Sequence, residues 1–248
     1  MEWESAYHAV VAVDIERSAG RGDPALLAIR SALRRVLRES FERCRIDWEA
    51  CRVDDLGDGL RVTAPPGVRK AALVHPLFDE VAVRLRAHNR LTGPLTTVRV
   101  RMALHAGDVR LGPSGEVVGR PLEVLARLLD APAVRTALAE APPSTVAVLV
   151  LSEHFHEETV QHGRPGVEPE TFRRVIVSNK EFTAPAWIRL AGCAAAEPTE
   201  PADPIAADSA AEDGPTPGPW RMTNRATGHG VVYAVQNGDQ HITTTRRA

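Results

Sequence analysis

Lysine is nearly missing from this chain of 248 residues: of its 30 basic residues, Lys70 and Lys180 alone are lysine. A basic surplus is missing too. The formal net charge is -2, so the chain lacks the positive field that nucleic acid or an anionic membrane surface demands. Cysteine is scarce. Cys44, Cys51 and Cys193 are an odd number with no Cys-x-x-Cys spacing, which indicates neither a disulfide framework nor a zinc site. No apolar run approaches the ~20 residues that span a bilayer. The first ten residues, MEWESAYHAV, have neither the basic start nor the long apolar stretch of a secretory signal. The expectation is a cytoplasmic protein with no nucleic-acid and no membrane partner. What is present suits a globular domain: 44% of residues are apolar and 25% charged, enough to bury a core.

Residues 1–191 alternate between strand and helix patterns. His8 to Val13 is a short apolar run ending at Asp14 and reads as a buried strand. Asp23-Pro24 supplies an N-cap and a first-turn proline for a helix over 24–44. Its apolar face carries Leu26, Leu33 and Leu37, and Arg30, Arg34 and Arg38 share another. Arg52–Leu56 and Leu60–Thr63 flank Gly57-Asp58-Gly59 and read as a β-hairpin. A second helix spans about 68–90, with Pro76 marking a kink or a later start. Strands follow at 98–105, 146–151, 171–177 and 186–190. Helices are expected at 121–129 and from a Ser152 cap to about 161. The order predicts an α+β domain, a sheet with helices packed on it.

Two further segments follow. Residues 192–219 are rich in Ala, Pro, Asp and Glu and nearly devoid of large apolar side chains. They read as a disordered linker, because too little apolar surface is on offer to offset ordering entropy. Residues 220–248 are β-prone: Val231 to Val235 carries no charge, and Gln236-Asn237-Gly238 follows it.

Carboxylates are the main chemical signal. Asp14 ends the first strand, and Asp58 sits in the hairpin turn behind Asp54 and Asp55. Two carboxylates at neighbouring strand ends suit Mg²⁺ or Mn²⁺, hard cations that take oxygen ligands and keep positions open for phosphates. The same two residues also suit a strand-end cap and an ordinary turn. His105, His154 and His156 are the other candidates. No third ligand lies near the closely spaced His154 and His156, so satisfied or surface histidines are the better reading.

Four segments, in order, resemble the catalytic domain of class III nucleotidyl cyclases, the adenylate and guanylate cyclase family. They are Val13-Asp14-Ile15, Leu56 to Leu60, Arg101 to Gly107 and Gly119 to Leu128. The resemblance implies a ferredoxin-like core and a homodimer with sites between protomers. It also implies two metal ions, Mg²⁺ or Mn²⁺, held by Asp14 and Asp58, and a nucleoside triphosphate as substrate. In that family the ribose 3′-oxygen attacks the α-phosphate. Arg127 would then stabilise the charge on the transferring phosphate, and Arg101 and Lys180 would contact the triphosphate. Three positions depart from the family pattern. Glu123 replaces an asparagine, and Asp54 and Glu116 replace the two base-selecting residues. A carboxylate at Glu123 would repel a triphosphate by ~4 kcal/mol at 4 Å and an effective dielectric near 20. Alternatively, Glu123 pairs with an arginine or reads a different ligand, leaving a nucleotide sensor.

The stretch 224–242 resembles RIP homotypic interaction motifs and similar bacterial amyloid signalling motifs. Val231, Val232, Tyr233 and Val235 suit a dry zipper, and Gln236, Asn237 and Gln240 suit amide ladders. A single docked hairpin or a disordered end are the alternatives. The resemblance implies recruitment to a motif-bearing sensor protein, in bacterial immunity or programmed-death signalling, or an adaptor acting through the tail.

Overall fold

The computed structural model describes residues 3–163, 165–179 and 182–192. An eight-stranded sheet organises them. In chain order the elements are β1 (Glu4–Ile15), α1 (Asp23–Arg43), β2 (Arg52–Asp55), β3 (Gly59–Thr63), α2 (Lys70–Ala72), α3 (Phe78–Arg90) and β4 (Val100–Leu111). Then come β5 (Val117–Val118), α4 (Arg120–Asp130), α5 (Pro132–Glu140), β6 (Ala147–Ser152), α6 (Glu153–Thr159), β7 (Arg173–Asn179) and β8 (Phe182–Leu190). The strands lie in the order β2-β3-β1-β4-β6-β8-β7, with β5 added to β4. The β4–β6 pair is parallel and the other pairs are antiparallel. This is the expected α+β architecture.

Alternation along β1 divides the core into two apolar layers. Val11, Val13 and Ile15 face α1 and α3, where Phe41, Phe78 and Leu85 are fully buried. Val10 and Ala12 face α4 and α5, meeting Leu125, Leu128, Val134 and Leu138. Each buried Leu or Phe contributes about 2–3 kcal/mol of apolar transfer. The layers leave the end of β1 at Asp14 as the place where polar chemistry enters the sheet.

Several boundaries differ from the sequence reading. The cap of α1 is Gly22, and Asp23 lies inside the first turn with no side-chain cap bond. The helix expected over 68–90 is interrupted at Leu73–Leu77: His75, which precedes Pro76, has extended backbone (φ -144°, ψ 127°). Proline disfavours the helical region for its predecessor, so the regular helix begins at Phe78. The strand β8 starts at Phe182, four residues earlier than expected. Pro185 sits within it, opposite Ile176 of β7, and β6 joins only from Ala186 onward. The proline therefore removes no ladder bond toward β6. Helix α5 and the two-residue β5 were not expected at all.

Candidate functional site

Asp14 continues the Val10–Ala12 face, at the C-terminal end of β1. Directly opposite it lie Gly59 on β3 and Arg101 on β4. The Arg101 guanidinium donates from Nε to Asp14 Oδ1 and from Nη2 to Oδ2, both at 2.8 Å. This is the fork geometry that makes charge-assisted bonds strong and directional. Both side chains are largely buried, at 10% and 15% exposure. Burial raises the Asp14 carboxyl above the usual carboxylate range and Asp58 adds to the rise, while the Arg101 bonds and charge work against it.

Asp58 is exposed in the β2–β3 turn. Its backbone carbonyl accepts from Ile15 N at 3.0 Å, which fastens the turn to the strand carrying Asp14. Its carboxylate accepts from Ser18 Oγ at 2.9 Å. Gly59 makes this approach possible. A methyl group on Gly59 would overlap the Val13 carbonyl oxygen and lie 3.1 Å from Asp14 Cα. The β1–α1 loop is tied down by Arg21, which donates to the carbonyls of Arg17 (2.7 Å), Glu16 (2.9 Å) and Thr97 (2.6 Å).

On the other side of the hairpin, α1 and the turn enclose a cavity of about 240 Å³ whose lining includes Arg30, Arg34, Asp55 and Asp58. Arg30 and Arg34 reach Asp55 at 3.0 and 3.8 Å. The Asp55 carboxyl is held below its usual range, first by the backbone N–H of Gly57 and then by the arginines.

The remaining expected residues are dispersed. Asp54 Oδ2 accepts from Arg61 Nε at 3.0 Å across the hairpin, with Arg61 Nη2 in ion-pair contact at 3.0 Å. Any ligand that reads Asp54 meets a carboxylate–guanidinium pair there. Glu116 folds back in the β4–β5 turn and accepts from Ser114 N at 3.0 Å. The row holding Asp54, Arg61, Ala12 and Ala103 lies about 25 Å of strand from Leu111, at the foot of β5. One chain does not bring Glu116 beside Asp54. Glu123 is exposed on α4 and Arg127 is half-buried, while Pro121, Leu125 and Leu128 face the sheet. Among the described residues neither Glu123 nor Arg127 joins an ion pair. Gly119, at φ 147°, permits the turn into α4. At the far end of α4, Asp130 pairs with Arg135 at 2.6 Å. Asp130 acts on Arg101, and Arg135 on Asp14, through their fields. Lys180 lies outside the described residues, as do residues 193–248 with nearly all of the linker and the whole tail motif.

The histidines are engaged by protein groups. His105 Nδ1 meets Ser152 Oγ at 2.7 Å, and His156 stacks on Trp187 at 3.9 Å between centroids. His154 bonds Tyr7 OH at 2.8 Å. Lys70 donates to Glu158 at 2.7 Å and lies 4.7 Å from the centre of the Tyr7 ring. The sequence reading missed Ser18, Arg61 and Arg135. Arg61 was within reach, because it lies opposite Asp54 across a short turn. Ser18 sits in an irregular loop with no periodic signal.

The metal question turns on donor chemistry. Among the described residues no group of three His, Cys, Asp or Glu is arranged to hold an ion. Asp14 and Asp58 nonetheless offer an all-oxygen, doubly anionic set that fits a hard divalent cation completed by phosphate oxygens and water. Both Asp14 oxygens are engaged by Arg101, so a cation must share or displace that guanidinium.

No protein-family model matches the sequence, and no curated protein matches it. Solved structures do resemble the fold. The guanylyl cyclase Cya2 matches with a TM-score of 0.55 at 14% identity, covering 80% of this chain and 98% of its own. An adenylate/guanylate cyclase/hydrolase from Silicibacter pomeroyi matches at 0.53 and 18% identity, covering 76% and 98%. The adenylyl cyclase CyaB from P. aeruginosa matches at 0.50 and 14% identity, covering 76% and 94%. Through most of residues 3–192, the chain has the fold of adenylate and guanylate cyclase domains.

Proposed function

We propose that the chain is a nucleotidyl cyclase that converts a nucleoside triphosphate to a cyclic nucleotide at a homodimer interface. The observation that carries this reading is the meeting of Asp14, Arg101 and Asp58 at one end of a cyclase-fold sheet. In this reading Asp14 and Asp58 hold two Mg²⁺ or Mn²⁺ ions. Bound there, the metal supplies charge neutralisation at the transferring phosphate. Arg101 and Lys180 bind the triphosphate. Arg127 stabilises the charge that develops on the α-phosphate. Asp54, with Arg61 beside it, and Glu116 contact the base. Because one chain does not bring Glu116 beside Asp54, contact of both with one base requires a second protomer.

The segments beyond the sheet are assigned from sequence alone. Residues 192–219 act as a flexible tether of roughly 30 Å. The motif at 224–242 recruits the chain to a motif-bearing sensor, and clustering raises the local concentration for dimerisation, in bacterial conflict signalling.

The test uses the full chain with each of the four nucleoside triphosphates and Mn²⁺, with products read by mass spectrometry. A cyclic product that falls roughly 10²-fold or more in Asp58→Asn is expected. Asp58 is the better control than Asp14, because removing Asp14 strands a buried guanidinium. No product at concentrations that populate dimers would overturn the catalytic reading.

A second reading is a sensor that binds a nucleotide without converting it. Glu123 favours it: an exposed carboxylate with no ion-pair partner among the described residues stands where the family pattern has an amide. Nucleotide-dependent thermal stabilisation without product, and turnover gained in Glu123→Asn, would select this reading.

A further inference from the structure

We infer that Arg101 is a built-in competitor for the metal site: its guanidinium occupies both oxygens of Asp14 and must be drawn off before a divalent cation binds there in full. This inference rests on the metal reading of Asp14 and Asp58 given above.

The geometry makes the competition direct. A carboxylate whose two oxygens each accept a 2.8 Å bond from one guanidinium has one of the two lone pairs on each oxygen taken by a cation already, and a metal ion must approach the remaining ones beside that positive charge. The pair is largely buried, so water does not screen it as it screens a surface pair. The fields of Glu16 and Asp130 add to that of Asp14 in favouring the charged guanidinium. Asp58 differs in every respect. It is exposed, and among the described residues its side chain is bonded by the neutral Ser18 hydroxyl alone. The two carboxylates are therefore unequal, with Asp58 open and Asp14 closed. A cation arriving alone finds one free carboxylate. A cation arriving with a polyphosphate brings anionic oxygens that match the guanidinium fork as a carboxylate does. Arg101 can then exchange Asp14 for phosphate, and Asp14 becomes a ligand. Arg101 thus couples metal binding to polyphosphate binding.

The experiment measures Mn²⁺ binding to the full chain without nucleotide, by the electron paramagnetic resonance of free Mn²⁺. The wild type is compared with Arg101→Gln, Arg101→Lys and Asp58→Asn. Arg101→Gln removes the competing charge and should bind Mn²⁺ roughly ten-fold or more tightly than wild type. Arg101→Lys keeps the charge but loses the fork, frees one Asp14 oxygen and should fall between. Wild-type and variant affinities that agree within a factor of two, with binding lost in Asp58→Asn, would overturn the competition and leave the metal site standing. No Mn²⁺ bound by any variant would overturn both. Arg101→Gln leaves Asp14 buried without a partner and is at risk of not folding. A measurement on the wild type then decides. The side-chain carboxylate ¹³C resonance of Asp14, which reports its partner, should shift when Mg²⁺ and inorganic triphosphate are added together and stay in place when Mg²⁺ is added alone. An Asp14 resonance unmoved by the pair, or moved equally by Mg²⁺ alone, would refute the inference.

Discussion

Gly59 gives the sharpest test of how the site is assembled, because a single methyl group separates two outcomes. In Gly59→Ala the added carbon overlaps the Val13 carbonyl oxygen and crowds Asp14 Cα at 3.1 Å. Both obstacles are backbone of the central strand, which cannot swing aside as a side chain does. Ordinary van der Waals separation requires β3 to move off β1 by about 1 Å. The backbone bond that ties the turn to β1, Ile15 N to Asp58 O at 3.0 Å, would stretch to about 4 Å and be lost, at about 1 kcal/mol. Overpacking a tight site adds about 1–3 kcal/mol. The expected loss is therefore about 2–4 kcal/mol, equivalent to roughly 5–15 °C in Tm for a domain of this size. Urea denaturation and a thermal melt followed by circular dichroism measure it directly. The Asp58 turn moves with β3, so Mn²⁺ affinity should fall in the fraction that stays folded. A Tm within about 2 °C of wild type would show that the hairpin has slack beside β1. The close approach would then not be what places Asp58 next to Asp14.

Other outcomes follow from the same structure. Asp14→Asn should cost about 3–5 kcal/mol by stranding Arg101, and the double variant Asp14→Asn/Arg101→Gln should recover more than a third of that in urea melts. Ser152→Ala removes both the cap on Phe155 N (3.1 Å) and the His105 partner, so a loss of about 1–3 kcal/mol is expected by chemical denaturation. Burial pushes both His105 and His156 down to about 4. An unfolded histidine titrates near 6.5, so below that pH the unfolded chain takes up protons that the native state refuses. Stability should hold above about pH 6.5 and fall between pH 6.5 and 4, by up to about 3 kcal/mol for each histidine. His156→Phe should lose less stability than wild type between pH 7 and pH 5 in paired urea titrations, and equal losses would refute the assignment.

The proposed recruitment segment has its own test. The full chain should form thioflavin-positive fibrils, and Gln236→Asp should block them by placing a charge in a stacked amide ladder. A full chain that stays soluble at high concentration would count against the amyloid reading.

The sequence by itself determined the alternation of elements. Local signals carry that information: the apolar run before Asp14, the glycine-rich turn around Asp58 and the period of Leu26, Leu33 and Leu37 each need only near neighbours. It also determined that Asp14 and Asp58 stand at element ends, where carboxylates are free to act. Boundaries set by tertiary pairing were not available to it. Pro185 argues against a strand until one sees that β7 alone pairs there, and α5 carries too weak a pattern to announce itself. The partners of the charged residues were decided by the tertiary structure alone. Arg101 is 87 residues from Asp14 in sequence and meets it only because β4 lies antiparallel to β1 in one particular register. A shift of one residue would turn Arg101 to the other face. The same holds for Arg61 on Asp54, where the hairpin register fixes the pair. Residue types make chemistry available, but a charge acquires its role from whatever the fold places within about 3 Å of it.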